Sequence, residues 1–250
     1  MNIWTDILDF LLPRRCCMCG NRLSKQEKYI CFSCLMNLPF TNYHTVEHNI
    51  LEKHFWELFP IEKAVSMFFH DGENARKIIY NIKYYGRPHV GTYLASIYAD
   101  TLKESLFFDD MDAIIPLPLH WRKQLKRGYN QSYYIAKGIK NVTGLPILNN
   151  VVKRVGNNTS QTRFNAHQRM ENVKDIFHLK HPEKIAGKHI LLVDDVTTTG
   201  ATLVSCAKEL AKAPNVRISI LTLAVASRIA VPATETEYTD VLVYGIPLME

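Results

Sequence analysis

Two adjacent carboxylates, Asp194 and Asp195, are followed by Val196 and then by Thr197, Thr198, Thr199, Gly200, Ala201 and Thr202. Residue types in this order suit one task well, holding a sugar phosphate. A glycine among small residues lets backbone N–H groups turn toward a phosphate, and the positive end of a following helix adds to them. The threonine hydroxyls donate further hydrogen bonds. Carboxylates just upstream can hold ribose hydroxyls, directly or through a hydrated Mg2+. A strand–turn–helix with an ordinary cap needs one Asp or Thr, not the whole string.

A second group of residues supplies the opposite charge. The chain has 250 residues and a formal net charge of +6. Between Ala113 and Met170 there is no Asp or Glu, while ten Lys/Arg fall there: Arg122, Lys123, Lys126, Arg127, Lys137, Lys140, Lys153, Arg154, Arg163 and Arg169. The rest of the chain carries 20 basic against 24 acidic residues. A basic segment of this kind suits a polyanion, whether pyrophosphate, nucleic acid or both. Lys137 and Lys140 fit an exposed helix face instead. Aromatic residues interleave with the bases (Trp121, Tyr129, Tyr133, Tyr134, Phe164), as a stacking surface for single strands requires, although Tyr133 and Tyr134 also suit a helix core.

Cysteine spacing gives a third signal. Cys16-x2-Cys19 and Cys31-x2-Cys34 form a double knuckle at zinc-ribbon spacing, in which four thiolates share one tetrahedral Zn2+. A disulfide pair is the rival, and the reducing compartment expected of a chain without a secretory signal argues against it. Cys17 could offer a shifted ligand set with Cys19, but the matched spacing favours Cys16. Cys206 stands alone and reads as a small buried apolar residue.

These groups must be positioned by an α/β framework. Composition is that of a globular protein, with 47% hydrophobic and 22% charged residues. No apolar run approaches the roughly 20 residues that span a bilayer, so no membrane insertion is expected. The N-terminus (Ile3, Trp4, Ile7, Leu8, Leu11, Leu12) has helical spacing but no basic start, which predicts a packing helix and a cytoplasmic protein. Residues 1–60 read as a helix and zinc-ribbon module ending in a His/aromatic connector, Tyr43 to Phe59, without clear period. Its histidines, His44, His48 and His54, match no compact metal site and read as surface residues.

From residue 61 the pattern alternates. Strands are predicted at Lys63–His70, Asp112–Pro116, Val151–Val155, Val173–Leu179, Ile190–Val193, Val216–Ala226 and near Val241–Tyr244. Helices are predicted at Ala75–Tyr85, with Ile78, Ile79 and Ile82 on one face, at Val90–Leu102, Asn130–Val142 and 200–212. His120–Gly128 reads as a basic loop, and the polar stretch 156–172 as a mobile lid over a ligand.

The acid pair and threonine loop resemble the phosphoribosyl-pyrophosphate (PRPP) motif of type I phosphoribosyltransferases. With the double cysteine knuckle, the chain looks like the ComF family of competence proteins. Pro116-Leu117-Pro118-Leu119-His120, Arg127-Gly128-Tyr129-Asn130-Gln131, Ser160-Gln161-Thr162, Arg169, Asn172-Val173, Phe177 and Lys83-Tyr84 with Gly86 carry that resemblance. It covers nearly the whole chain, and the connector matches least. The resemblance implies a Rossmann-type parallel sheet with helices on both faces, a role in DNA uptake and natural transformation, and work with a competence helicase on incoming single-stranded DNA. No cysteine lies near the first residue and no span remains for a glutaminase domain, so an amidotransferase activity is not expected.

If transfer occurs, displacing pyrophosphate from ribose C1′ builds positive charge on the ring and negative charge on the leaving group. Asp194, Asp195 and Arg127 are the expected catalytic residues. The stretch Asp194 to Thr202 would hold PRPP, and Arg122, Lys126, Arg127, Arg163 and Arg169 would meet its pyrophosphate together with Mg2+. Lys123, Lys126, Arg127 and Arg154 are candidates for DNA. Two other readings stay open: an active phosphoribosyltransferase acting on a small nitrogenous acceptor, and a module that binds PRPP or DNA without turnover.

Overall fold

The computed structural model describes residues 13–156 and 176–230. The N-terminal packing helix, all of the expected lid beyond Gly156 (with Arg163, Phe164 and Arg169) and the terminal strand near Val241–Tyr244 lie outside the described residues.

In chain order the elements are α1 (Phe32–Met36), a 3-10 turn at Tyr43–Thr45, α2 (Ile50–Trp56), β1 (Ala64–Phe69), α3 (Glu73–Tyr84) and α4 (His89–Glu104). There follow β2 (Ala113–Pro116), α5 (Trp121–Arg127), α6 (Gln131–Thr143), β3 (Val152–Arg154) and β4 (Phe177–Leu179). A 3-10 turn at Pro182–Lys184, β5 (His189–Thr197), α7 (Ala201–Leu210), β6 (Arg217–Val225) and α8 (Ser227–Ala230) complete the described chain.

Four strands form one parallel sheet in the order β1-β6-β5-β2. The central strands read as unbroken apolar runs, because helices cover both faces. Side chains alternate across β5. Leu191 and Val193 face a core shared with α3, α4 and α6, through Ile78, Ile82, Leu94, Ile135 and Ile139. Ile190 and Leu192 face a second core with Leu51 and Phe55 of α2 and Leu203, Ala207 and Leu210 of α7. Each such aliphatic side chain, fully buried, contributes roughly 1.5–3 kcal/mol. Cys16, Met18, Leu23 and Ile30 of the cysteine segment pack into the first core.

Two expectations change. His120–Gly128 is not a loop: Trp121–Arg127 forms α5, with the His120 ring accepting from the Arg122 N–H (3.3 Å) and Gly128 closing it in the left-handed conformation (φ 83°). The run contains no helix breaker before Gly128, and its basic residues are good helix formers. The strand Ile190–Val193 does not stop before the acids either. Its pairing with β6 continues through Asp194, Val196 and Thr197. The short strands β3 and β4 pair antiparallel with each other, apart from the main sheet.

Candidate phosphate and nucleic-acid site

β2 and β5 are neighbours, yet beyond their carboxyl ends the chain leaves in opposite directions. After β2 it turns toward α6 on one face, and after β5 toward α7 on the other. A crevice opens where adjacent strands diverge in this way, and ligands of open α/β sheets bind there. Asp194 and Asp195 stand at that point, 8% and 2% exposed.

Strand side chains alternate, and the two carboxylates take different partners. Asp195 turns to the α3 side, where Lys83 Nζ lies 2.9 Å from its Oδ1. Its Oδ2 is buried with no hydrogen-bond partner. Asp194 Oδ1 accepts from Ser132 Oγ at 2.9 Å and from the Asp195 N–H at 2.8 Å. Burial pushes the Asp194 carboxyl well above the usual carboxylate range, and the charge of Asp195 adds to this; Lys83 and the two hydrogen bonds oppose it. Burial disfavours the Lys83 ammonium, but the charges of Asp195 and Asp194 outweigh it and keep the lysine protonated.

Three further cations cluster with Lys83, and one of them, Arg154, senses Asp194. Lys123 of α5 is held below its ordinary pKa by desolvation and by the charges of Arg154, Arg127 and Lys83, so the four cations crowd one another. Arg154 on β3 stacks over Phe177, with its guanidinium carbon 5.5 Å from the ring centroid. Its Nε is buried without a partner, and burial and then Asp194 set the balance of its charge. Arg127 stacks on Tyr84 (5.4 Å) and donates to the Gln131 side chain. Arg122 lies over Trp121 (5.2 Å) on exposed α5, and Lys126 is exposed on the same helix.

The threonine loop is tied down from outside. Arg228 Nε donates to the Thr198 carbonyl (3.2 Å) and His54 Nε2 to the Thr199 carbonyl (3.3 Å). The N–H groups of Thr198, Thr199 and Gly200 have no backbone acceptor among the described residues. Helix geometry leaves Thr202 and Leu203 without intrahelical acceptors, while the Ala201 N–H reaches Thr199 Oγ1 at 3.5 Å. Thr197 Oγ1 is buried and unpartnered. Gly200 takes φ +73°, and a Cβ there would lie 2.8 Å from Phe55 Cε1. Backbone donors at a helix start, next in the chain to a carboxylate oxygen without a partner, are groups that a ribose phosphate can engage.

The connector histidines are not all surface residues. His54 is half-buried and anchors the loop, and Phe55 packs beneath it. The signal was present: Asn49 and Glu52 form a capping box that starts α2. Ser132 gives no local signal and Lys83 stands out only through the family resemblance, without its role, since both reach the acids from distant helices.

Between β3, α5 and α6 lies a cleft of about 600 Å³, walled by Trp121, Tyr129, Tyr133 and Tyr134, with Asn130, Asn149 and Arg154 at its edge. Asn130 is held by the Leu117 carbonyl (3.0 Å) and caps α6, two residues before Ser132.

At the other end of the chain, one sulfur each from Cys16, Cys19, Cys31 and Cys34 lies within 4.8 Å of all the others. The Met18 and Cys31 N–H groups point at Cys16 Sγ (3.5 and 3.4 Å). Four convergent thiols stabilised by backbone donors suit a tetrahedral metal. Cys17 is outside the cluster; its thiol is pushed up to about 12 by burial, and its carbonyl accepts from Asn81 Nδ2 at 3.2 Å. Among the described residues no helix is long and apolar enough to cross a membrane.

Residues 125–240 match the family model described as "Phosphoribosyl transferase domain". The chain is 39% identical over 102 residues to Competence protein F of Haemophilus influenzae, covering 40% of this chain and 44% of that protein. It is 28% identical over 134 residues to DNA utilization protein YhgH of Salmonella typhimurium, covering 52% and 58%. It is 26% identical over 144 residues to Competence protein ComFC of Bacillus subtilis, covering 56% of each. The matches thus span about half the length of these curated relatives.

Proposed function

We propose that this chain, a ComF-family protein with a phosphoribosyl transferase domain, binds PRPP with Mg2+ at the acid pair and threonine loop. We further propose that it binds single-stranded DNA on the adjoining cationic face and serves DNA uptake in the cytoplasm, alongside a helicase. The names of its relatives point toward DNA handling. One observation carries the small-molecule half of the reading: Asp195 Oδ2 and Thr197 Oγ1 are buried without partners, next in the chain to the N–H groups of residues 198–200, which have no backbone acceptor. Buried polar atoms are rarely left so, because each costs free energy until a partner arrives.

In this reading the loop N–H groups and Thr197 hold the 5′-phosphate, and Asp194 and Asp195 take the ribose hydroxyls. Lys83, Lys123, Arg127 and Arg154 face the pyrophosphate. The lid residues Arg163 and Arg169 would close over it. Mg2+, when bound with PRPP, would offset diphosphate charge, and the buried carboxylates fit its water shell. The four thiols of Cys16, Cys19, Cys31 and Cys34 would hold Zn2+ in a structural role.

Transfer to a small nitrogenous acceptor is the second reading. The aromatic and amide-lined cleft favours it, since a planar acceptor could stack there against the rings, with Arg154 in the lining. Arg127 would then stabilise the departing pyrophosphate.

The test uses the full-length protein. PRPP with Mg2+ should raise the melting temperature by mass action, and Asp194→Asn/Asp195→Asn should remove that shift while the protein stays folded. Normal PRPP binding by the double variant would defeat the site assignment. Pyrophosphate release in the presence of added bases separates turnover from binding.

A further inference from the structure

The basic segment accounts for phosphate contacts on a nucleic-acid strand but offers its bases no contiguous platform among the described residues. Tyr133 and Tyr134 are half-buried and Tyr129 donates to the Ile82 carbonyl (2.6 Å), so these rings line the cleft between helices and not an open track. In the described part of the segment Trp121 is exposed (59%), but the Arg122 guanidinium already lies over it (5.2 Å), and the contiguous exposed rings are elsewhere. On α3 and the residue after it, Tyr80 is 51%, Tyr84 65% and Tyr85 69% exposed. Single exposed apolar side chains are ordinary on a protein surface, but contiguous ones ask for a partner.

These rings are arranged. Tyr80 and Tyr84 are four apart on one helix face, with centroids 5.6 Å apart and planes fanned by 38°. Arg76 precedes Tyr80 by the same spacing and is exposed. The Arg127 guanidinium also packs on Tyr84, 5.4 Å from the ring centroid. From Arg127 the charge continues to Lys123, which senses Arg127, Lys83 and Arg154. The stripe therefore runs cation, ring, ring, cation, and ends at the acid-pair crevice. Of the carboxylates near it, Glu73 is engaged by Lys77 at 2.7 Å, and Asp71, which senses Arg76, accepts from the Ser227 N–H at 2.7 Å.

We infer that Tyr80 and Tyr84 are the base-stacking platform for a single DNA strand whose phosphates follow Arg76, Arg127 and Lys123 toward the crevice. The inference rests on the nucleic-acid half of the proposed function. Rings flanked by cations satisfy a strand's two demands together: stacking is available to every base, and charge follows the backbone. A protein partner with an apolar face would have no need of the flanking arginines.

The test measures binding of the full-length protein to a fluorescein-labelled thirty-nucleotide oligo-dT, and to a strand of the same length with abasic sites, by fluorescence anisotropy across a salt series. Tyr80→Ala/Tyr84→Ala should weaken oligo-dT binding by roughly fivefold or more, with an unchanged salt slope because no phosphate contact is lost. Tyr80→Phe/Tyr84→Phe should bind like the parent. On the abasic strand, parent and alanine variant should bind alike. Matching thermal melts establish that the variants are folded. Oligo-dT binding unchanged by the alanine pair, while Lys123→Glu/Lys126→Glu weakens it and flattens the slope, would overturn the platform and leave the nucleic-acid reading standing. No binding by the parent protein at low salt would overturn both.

Discussion

The Lys83 ammonium lies 2.9 Å from Asp195 Oδ1, although the two residues belong to a helix and a strand far apart in the chain. Lys83 sits in the last turn of α3, where a helix favours a cation. It supplies the positive charge that two adjacent buried carboxylates require, and in the proposed function it would also face a bound diphosphate. The same residue thus joins folding to ligand binding: what α3 and β5 gain by packing together is also what makes the acid pair tolerable before any ligand arrives.

Lys83→Met should therefore destabilise the free protein. Removing one partner of a buried ion pair costs on the order of 3 kcal/mol, equivalent to a melting temperature lower by on the order of 10 °C for a chain of this size. Adding Asp195→Asn in the same chain should recover most of the loss, because the uncompensated charge is gone. Thermal melts of the two single variants and the double variant measure the coupling. Additive losses would show that the pair does not interact.

Gly200 gives a more local expectation. Gly200→Ala places a side chain at φ +73°, which costs roughly 1–2 kcal/mol, and puts its Cβ 2.8 Å from the Phe55 ring. Melting temperature should fall, and the shift induced by PRPP with Mg2+ should shrink, since the loop N–H groups move with the glycine. Phe55→Leu in the same chain should return part of the stability, because the contact with the ring is relieved, and none of the conformational part. A Gly200→Ala variant as stable as the parent would mean that the loop repacks freely.

Most of the framework could be read from the chain because its signals are local. The isoleucine stripe of α3, the apolar runs of β2, β5 and β6, and the threonine–glycine loop each lie within a dozen residues. The short α2 was hidden by its mixed His and aromatic composition, although its capping box was legible. α5 escaped because it buries no residue and so has no hydrophobic period to detect. The contacts that complete the site, Lys83 with Asp195, Ser132 with Asp194, His54 with Thr199 and Arg228 with Thr198, all span long separations that only tertiary packing brings together. Adjacency in sequence also conceals that the two acids take different partners, Ser132 for Asp194 and Lys83 for Asp195.

The cysteine cluster predicts one zinc per chain. Elemental analysis of reduced protein should find it, and a strong chelator should release it with loss of the packing that Cys16, Met18 and Ile30 make against α3 and α4. Structural zinc in small modules carries roughly 10–16 kcal/mol of apparent binding energy, so Cys16→Ser should bind metal far more weakly. Cys17→Ser should keep the full zinc content, because its sulfur lies outside the four-thiol cluster. Zinc loss in the Cys17 variant equal to that in the Cys16 variant would move the ligand set by one residue.

Asp194 predicts a pH dependence of opposite sign to that of an ordinary paired carboxylate. Burial and the charge of Asp195 raise its folded-state pKa above the unfolded value, so the unfolded chain gives up this proton first. The stability it contributes is fully present below about pH 4, the unfolded value, and is lost as pH rises through the elevated folded value. Asp194→Asn keeps an oxygen that can accept from Ser132 and from the Asp195 N–H but never ionises. The ligand-free variant should thus be more stable than the parent at neutral pH, by about 2–4 °C for each kcal/mol recovered, with the gap closing toward pH 4. It should at the same time lose the stabilisation by PRPP with Mg2+. Melting curves from pH 4 to pH 8, with and without the ligand, read both effects; a gap that widened toward acid would mean that Asp194 is ionised in the folded protein with a depressed pKa.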